Sequence, residues 1–142
     1  MESLAFRFID EQSGGITDLA IVEKGLMSYN EVHLGQINYG KLGIVVKNPG
    51  NEVIAGLVGA TLCGWVYVVT LWVTDEYRNR GIGKRLMSLA EEEGRRRGCH
   101  HIRLETSEAQ APDFYIKLGY SVFGVLDDYP QGLKLYFFQK AL

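Results

Sequence analysis

Residues 53–73, "VIAGLVGATLCGWVYVVTLWV", carry no charged side chain. Val, Ile, Leu, Tyr, Trp and Thr dominate the run, and these suit a pleated, buried surface. Glycines and a bend near Cys63 and Gly64 interrupt it too soon for a membrane span. The run therefore reads as two long strands joined by a tight turn. "KLGIVVKN" before it reads as a further strand and "PGNE" as the turn between them, so three consecutive strands form an antiparallel meander.

The rest of the chain is arranged around that meander. Leu4 to Ile9 loosely alternates apolar and polar residues and predicts an opening strand. "GGITDLAIVEKGLMSYNEVH" has Ile16, Leu19, Ala20 and Met27 at helical spacing, with Ser13 or Thr17 as cap, followed by an irregular stretch from Tyr29 to Tyr39. Beyond the meander, Ile82, Leu86, Leu89 and Ala90 share one helical face. The charged end "EEEGRRRG" places its arginines where the helix dipole favours them, a solvated helix end rather than a nucleic-acid patch. "CHHIRLET" predicts a strand, "APDFYIKLGY" a short helix with Pro112 in its first turn, and "SVFGVL" and "KLYFFQKAL" closing strands around "DDYPQG". The expected order is β-α-β-β-β-α-β-α-β-β, an α/β chain with residues 1–142 as a single domain.

Fifteen Lys and Arg against seventeen Asp and Glu leave a net charge of −2, so any anion site must come from local arrangement rather than overall charge. Cys63 and Cys99 lie far apart and are expected to be reduced, core or near-core thiols. Adjacent His100 and His101 would point to opposite faces of a strand, and no metal site is expected. The N-terminus matches neither a signal nor a transit peptide, which makes a cytoplasmic protein the default, with no membrane and no nucleic-acid partner.

The stretch "YRNRGIGKRL", Tyr77 to Leu86, joins the last meander strand to the amphipathic helix. A strand that ends, turns through glycines and opens a helix presents free backbone N–H groups to an anion, and Arg78, Arg80 and Lys84 add charge. A nucleotide, a coenzyme, a nucleic acid and plain solvent are all compatible with that. A Walker loop would need Gly at Arg78 and Ser or Thr at Arg85. A dinucleotide fingerprint would need Gly at Leu86 and the first strand of a parallel unit. Neither condition holds.

What remains is R-x-x-G-x-G, formed by Arg78, Gly81 and Gly83, with "FYIKLGY" some thirty residues on. Together with the element order, this resembles the GCN5-related N-acetyltransferases over essentially the whole chain. The resemblance implies a mixed, mostly antiparallel sheet flanked by helices, with two central parallel strands, Trp65 to Thr74 and His100 to Thr106, splayed apart. It implies acetyl-CoA as acetyl donor. The pyrophosphate would lie on the N–H groups of Asn79, Arg80, Gly81, Ile82, Gly83 and Lys84, with Arg78 as a charged donor, and pantetheine along Leu71, Trp72 and Val73. Tyr115 falls where the family's general acid stands, beside the departing thiolate.

The chain departs from the family pattern at three places. Glu108 replaces an Asn three residues before Ala111. The strand "WVYVVTLWVT" lacks the carboxylate that often serves as general base, Val69 standing where one is expected. Leu133 stands in place of a histidine. A base could instead come from Glu31 or Asp128, from a water chain, or from an amine of depressed pKa. Acceptor contacts are expected from Tyr29, Glu31, His33, Tyr67, Asp127, Asp128 and Tyr129. The function implied is transfer of acetyl to a primary amine, on a small molecule or peptide, by direct attack in a ternary complex. A non-catalytic acyl-CoA-binding sensor is the alternative. A homodimer through the exposed final strands is a further expectation.

Overall fold

The uncharged run forms β2 (Val53–Leu62) and β3 (Trp65–Val73), and β1 (Gly40–Lys47) precedes them. Cys63 and Gly64 both adopt positive φ, the geometry of a two-residue hairpin whose twist matches the strands it joins. In the computed structural model, which describes residues 2–142, the chain divides into two compact units, one ending at Ile37 and the other spanning Asn38–Leu142.

The second unit carries a six-stranded sheet in the order β1-β2-β3-β4-β6-β5, with β4 at His101–Ser107, β5 at Ser121–Leu126 and β6 at Leu135–Ala141. Every neighbouring pair is antiparallel except β3 and β4, which are parallel. Two helices complete the unit, α2 (Ile82–Arg96) and the short α3 (Pro112–Lys117). On α2 the buried residues Leu86, Met87, Ala90 and Gly94 form one stripe, joining Leu57, Val66, Ile102 and Phe138 in the core. Gly94 is needed for this approach, since a Cβ there would lie 2.4 Å from Val66 Cγ2. At the far end of α2, Arg97 donates to the carbonyls of Gly40 and Lys41 and to Thr61 Oγ1, while Glu93 accepts from its Nε. This clamp ties the helix end to the β1–β2 edge of the sheet.

The first unit contains α1 (Ile16–Leu34), with Gly15 at its N-cap and no buried residue. The predicted strand over Leu4 to Ile9 is absent: the segment pairs with no other strand, and alternation without a partner leaves backbone groups with nothing to bond. The irregular stretch expected from Tyr29 is helical as far as Leu34, and the helix ends at Gly35, at φ 73°. The cysteine expectation fails in half. Cys99 is buried, but Cys63 is exposed at the hairpin turn.

Candidate active site

The register of β3 explains where the sheet opens. Val58 pairs with Thr70 while Gly59 pairs with Val68, so Val69 is an extra residue in β3, a β-bulge. Val66 and Val68 face the core before the bulge, and Leu71 and Val73 pack against it afterwards. Strict alternation would have turned Thr70 and Trp72 inward, so the bulge keeps apolar residues on one face. Gly59 makes room for it, since a Cβ there would lie 2.2 Å from the Tyr67 carbonyl oxygen.

The parallel pairing of β3 with β4 runs from Trp65/His101 to Val68/Leu104 and ends at this bulge. From Val69 onward the edge of β3 that faces β4 has no ladder partner, so apart from the Val73 carbonyl, which accepts from Arg78 Nε, its N–H and C=O groups are free for another chain-like group. A cleft of about 960 Å³ fills the opening, bordered by β3 from Val68 to Val73, the loop into α2, the end of β4 and α3.

At the loop, Asn79 and Gly81 take positive φ and Gly81 caps α2 without any side-chain hydrogen bond. Arg85 N–H bonding to the Gly81 carbonyl is the first bond of the helix, which leaves the N–H groups of Ile82, Gly83 and Lys84 without helical partners. Gly83 faces Phe114 of α3, whose ring would be 3.4 Å from a Cβ. α3 contributes Tyr115, 8% exposed, with burial pushing its phenol up to about 12. The chain then turns through Gly119 at φ 92°, and Tyr120 N–H donates to the Tyr115 carbonyl. Tyr120 lies in the core with its hydroxyl buried and unpartnered, whereas Tyr115 borders the cleft.

A sequence model of the acetyltransferase (GNAT) family matches residues 16–120. This chain belongs to the GNAT acetyltransferase family. It is 35% identical over 115 residues to acetyltransferase Atu2258 of Agrobacterium fabrum, covering 81% of this chain and 84% of that one. It is 38% identical over 92 residues to the blasticidin-S acetyltransferase of Streptomyces morookaense, covering 64% of this chain and 68% of that one. A solved structure from Agrobacterium tumefaciens matches with a TM-score of 0.87 and 30% identity, over 96% of this chain and 100% of that one.

Of the residues that the GNAT resemblance singled out, Leu71, Trp72, Val73, Arg78, Asn79, Gly81, Ile82, Gly83, Lys84 and Tyr115 border the cleft. Arg80 does not. Its Nη2 donates to the Glu76 carbonyl, its guanidinium lies over the Tyr77 ring, and it borders a separate depression with Leu86 and Leu89. Arg78 is engaged within the protein, pairing with Asp75 at 2.8 Å and donating from Nε to the Val73 carbonyl. Lys84 is thus the cation of the helix's first turn that borders the cleft.

Of the acceptor candidates in the second unit, Asp127, Asp128 and Tyr129 do not border the cleft. Tyr29, Glu31 and His33 lie on α1, with the Tyr29 and His33 rings 4.1 Å apart. Asp128 accepts from Gly132 N–H within the β5–β6 turn, Asp127 pairs with Lys134, and Tyr129 is exposed in the same turn. Glu108, where many GNAT members have Asn, accepts from Lys134 N–H and braces that turn. The loop after β4 is held instead by Gln110, which accepts from Thr106 Oγ1 and Ser107 N–H.

Sequence reasoning missed Glu105. It borders the cleft from β4 and accepts a 2.6 Å hydrogen bond from Tyr67 Oη. That bond pushes the Tyr67 phenol above its ordinary range, with burial adding to the shift. The signal was the alternation in "HIRLETS": Ile102, Leu104 and Thr106 are buried, which leaves Arg103 and Glu105 on the other face. Only the register of β4 against β3 reveals that Tyr67 meets them.

Proposed function

We propose that this acetyltransferase moves an acetyl group from acetyl-CoA to a primary amine by direct attack in a ternary complex. One observation carries the reading: the unpaired edge of β3 after Val69, the free N–H groups opening α2 and the Tyr115 phenol all border one cleft. Their chemistry fits the coenzyme from end to end. N–H groups at the start of a 15-residue helix, with Lys84 beside them, suit a pyrophosphate. Strand-edge amides between Val69 and Val73 suit the amides of pantetheine. Gly83 keeps the space next to Phe114 clear of a side chain.

When bound, the thioester supplies an activated acyl carbon and a thiolate leaving group. The chain's part is to hold the reacting groups together and to manage charge and protons. A backbone amide in the opened strand stabilises negative charge on the acyl oxygen. Tyr115, a phenol neutral at physiological pH that burial raises further, would donate a hydrogen bond to the departing thiolate, with solvent completing the proton balance. The relative named for blasticidin S supports a small-molecule acceptor. An assay of CoA release from acetyl-CoA, across primary amines that include blasticidin S, tests the reading. Release with at least one amine is expected, and silence across the panel overturns it.

A further inference from the structure

The core face of a strand is a costly place for a cation, because a charge taken out of water must be paired to be held there. Lys140 occupies such a place. In the antiparallel register it stands opposite Ile102, which is fully buried, and Phe138, two positions earlier on the same face of β6, is fully buried as well. Only 28% of the Lys140 side chain is exposed. An apolar side chain would fill this position without the cost of desolvating a charge, so the reason for a lysine must lie in what its ammonium touches.

Those contacts join three elements. Lys140 Nζ lies 2.6 Å from Oε1 of Glu91, a carboxylate in the buried stripe of α2, as an ion pair rather than an aligned hydrogen bond. It donates a 3.0 Å hydrogen bond to the carbonyl of Leu118, the C-cap of α3. It also lies 5.3 Å from the centre of the Tyr120 ring. α3 needs such an anchor, since its six residues are too few to hold a helix by themselves and its C-cap carbonyl lies beyond the helix's own N–H groups. A lysine at a helix C-terminus supplies both a donor and the charge that the dipole favours. The element so anchored carries Tyr115, whose ring packs against Phe138 at 5.7 Å and edge-on against Tyr120 at 6.0 Å.

We infer that Lys140 is a positioning residue for the transfer reaction: by bridging Glu91 of α2 and the Leu118 carbonyl of α3, it fixes how far the Tyr115 phenol reaches into the cleft. This inference rests on the acetyl-transfer reading above, with Tyr115 as donor to the departing thiolate. Lys140 does not itself border the cleft, so it acts through Tyr115. A charge serves here where an apolar side chain would merely pack. One Nζ reaches a carboxylate and a carbonyl at once, and such contacts set a direction and a distance between two helices, whereas apolar burial is non-directional.

The test is a double-mutant cycle read in CoA release, using the primary amine that the wild type acetylates fastest, with acetyl-CoA affinity by calorimetry and melting temperature beside it. Lys140→Met keeps the stem and removes the charge. It should lower kcat about tenfold, short of the roughly 10²-fold that a misplacement of about 1 Å can cost, and leave the KM for acetyl-CoA within about threefold of wild type. Its melting temperature should fall too, because Glu91 is left buried and unpaired. Glu91→Gln/Lys140→Met removes both charges and should regain most of that melting temperature, yet kcat should stay about tenfold down because the Leu118 carbonyl still lacks its donor. In a Tyr115→Phe background, Lys140→Met should cost no further turnover, since the group it positions is gone. A further loss of about tenfold there, full turnover in the variant lacking both charges, or kcat within about twofold of wild type in Lys140→Met each overturns the inference alone and leaves Lys140 a purely stabilising residue. A wild-type enzyme silent with every amine, or Tyr115→Phe turning over at the wild-type rate, overturns the reading beneath it, and the inference with it.

Discussion

The two halves of β3 have nearly the same composition and opposite roles. Trp65 to Val68 is paired on both sides, with β2 and with β4, and its end of the sheet is clamped by Arg97. After the bulge at Val69 the strand keeps β2 but loses β4, and the cleft occupies the gap. Hydrophobicity cannot distinguish these halves, since both are apolar. What separates them is one inserted residue and a glycine opposite it, which let the strand bend away while its core face stays apolar. Backbone polar groups that the closed half spends on the ladder are available to a ligand in the open half.

If the open half carries the chemistry, the largest effect should come from Tyr115→Phe. CoA release should fall by about 10²–10⁴-fold, the range for a lost acid–base group, with coenzyme affinity and melting temperature near wild type. Intact turnover would leave Tyr115 as a packing residue beside Phe138 and Phe114.

The bulge itself is broken by Gly59→Ala. A methyl group 2.2 Å from the Tyr67 carbonyl must push β2 and β3 apart, at a cost of about 1–3 kcal/mol in urea unfolding. Because the same bulge opens the cleft, coenzyme affinity should fall as well; full affinity at reduced stability would show that the opening does not depend on it. Gly83→Leu acts on the open half alone. The added side chain would crowd Phe114 at the start of α2 and weaken acetyl-CoA binding about tenfold, equivalent to about 1.4 kcal/mol, with little change in melting temperature.

The smallest effect belongs to the clamp of the closed half. Hydrogen bonds from Arg96 and Arg97 hold the Glu93 carboxyl at about 2, below its ordinary 4.5. A carboxyl with a lowered folded pKa stabilises the fold fully above its unfolded pKa, and that stabilisation is lost as pH falls through the folded value. Melting temperatures of wild type and Glu93→Gln should therefore differ slightly at neutral pH and converge between about pH 4.5 and 2. A gap that persists at pH 2 would mean that charge is not what the clamp uses.

Legibility differs from one part of the chain to another. The meander, α2, β4, α3 and the two closing strands could be read because periodicity, glycine turns and a helix-opening proline act locally. The glycine-containing loop into α2 was legible for the same reason, its residues being neighbours in sequence. The opening strand and the end of α1 were misread, the first because a strand exists only through its partner, the second because the helix runs on past Tyr29 and ends at Gly35. Val69, where a carboxylate is expected, is instead the bulge residue, and the register of β4 brings Glu105, two positions beyond Arg103, to the border of the cleft.

By itself, the sequence determined the sheet-forming run, the glycine turns, the helix start with its free N–H groups and Tyr115 within its short helix, since each depends on residues a few positions apart. Tertiary structure alone decided that β3 parts from β4 at Val69, that Arg80 turns away from the cleft, and that Tyr67 and Glu105 meet across 2.6 Å. Those facts depend on strand register, and register is set by the packing of a whole sheet against its core.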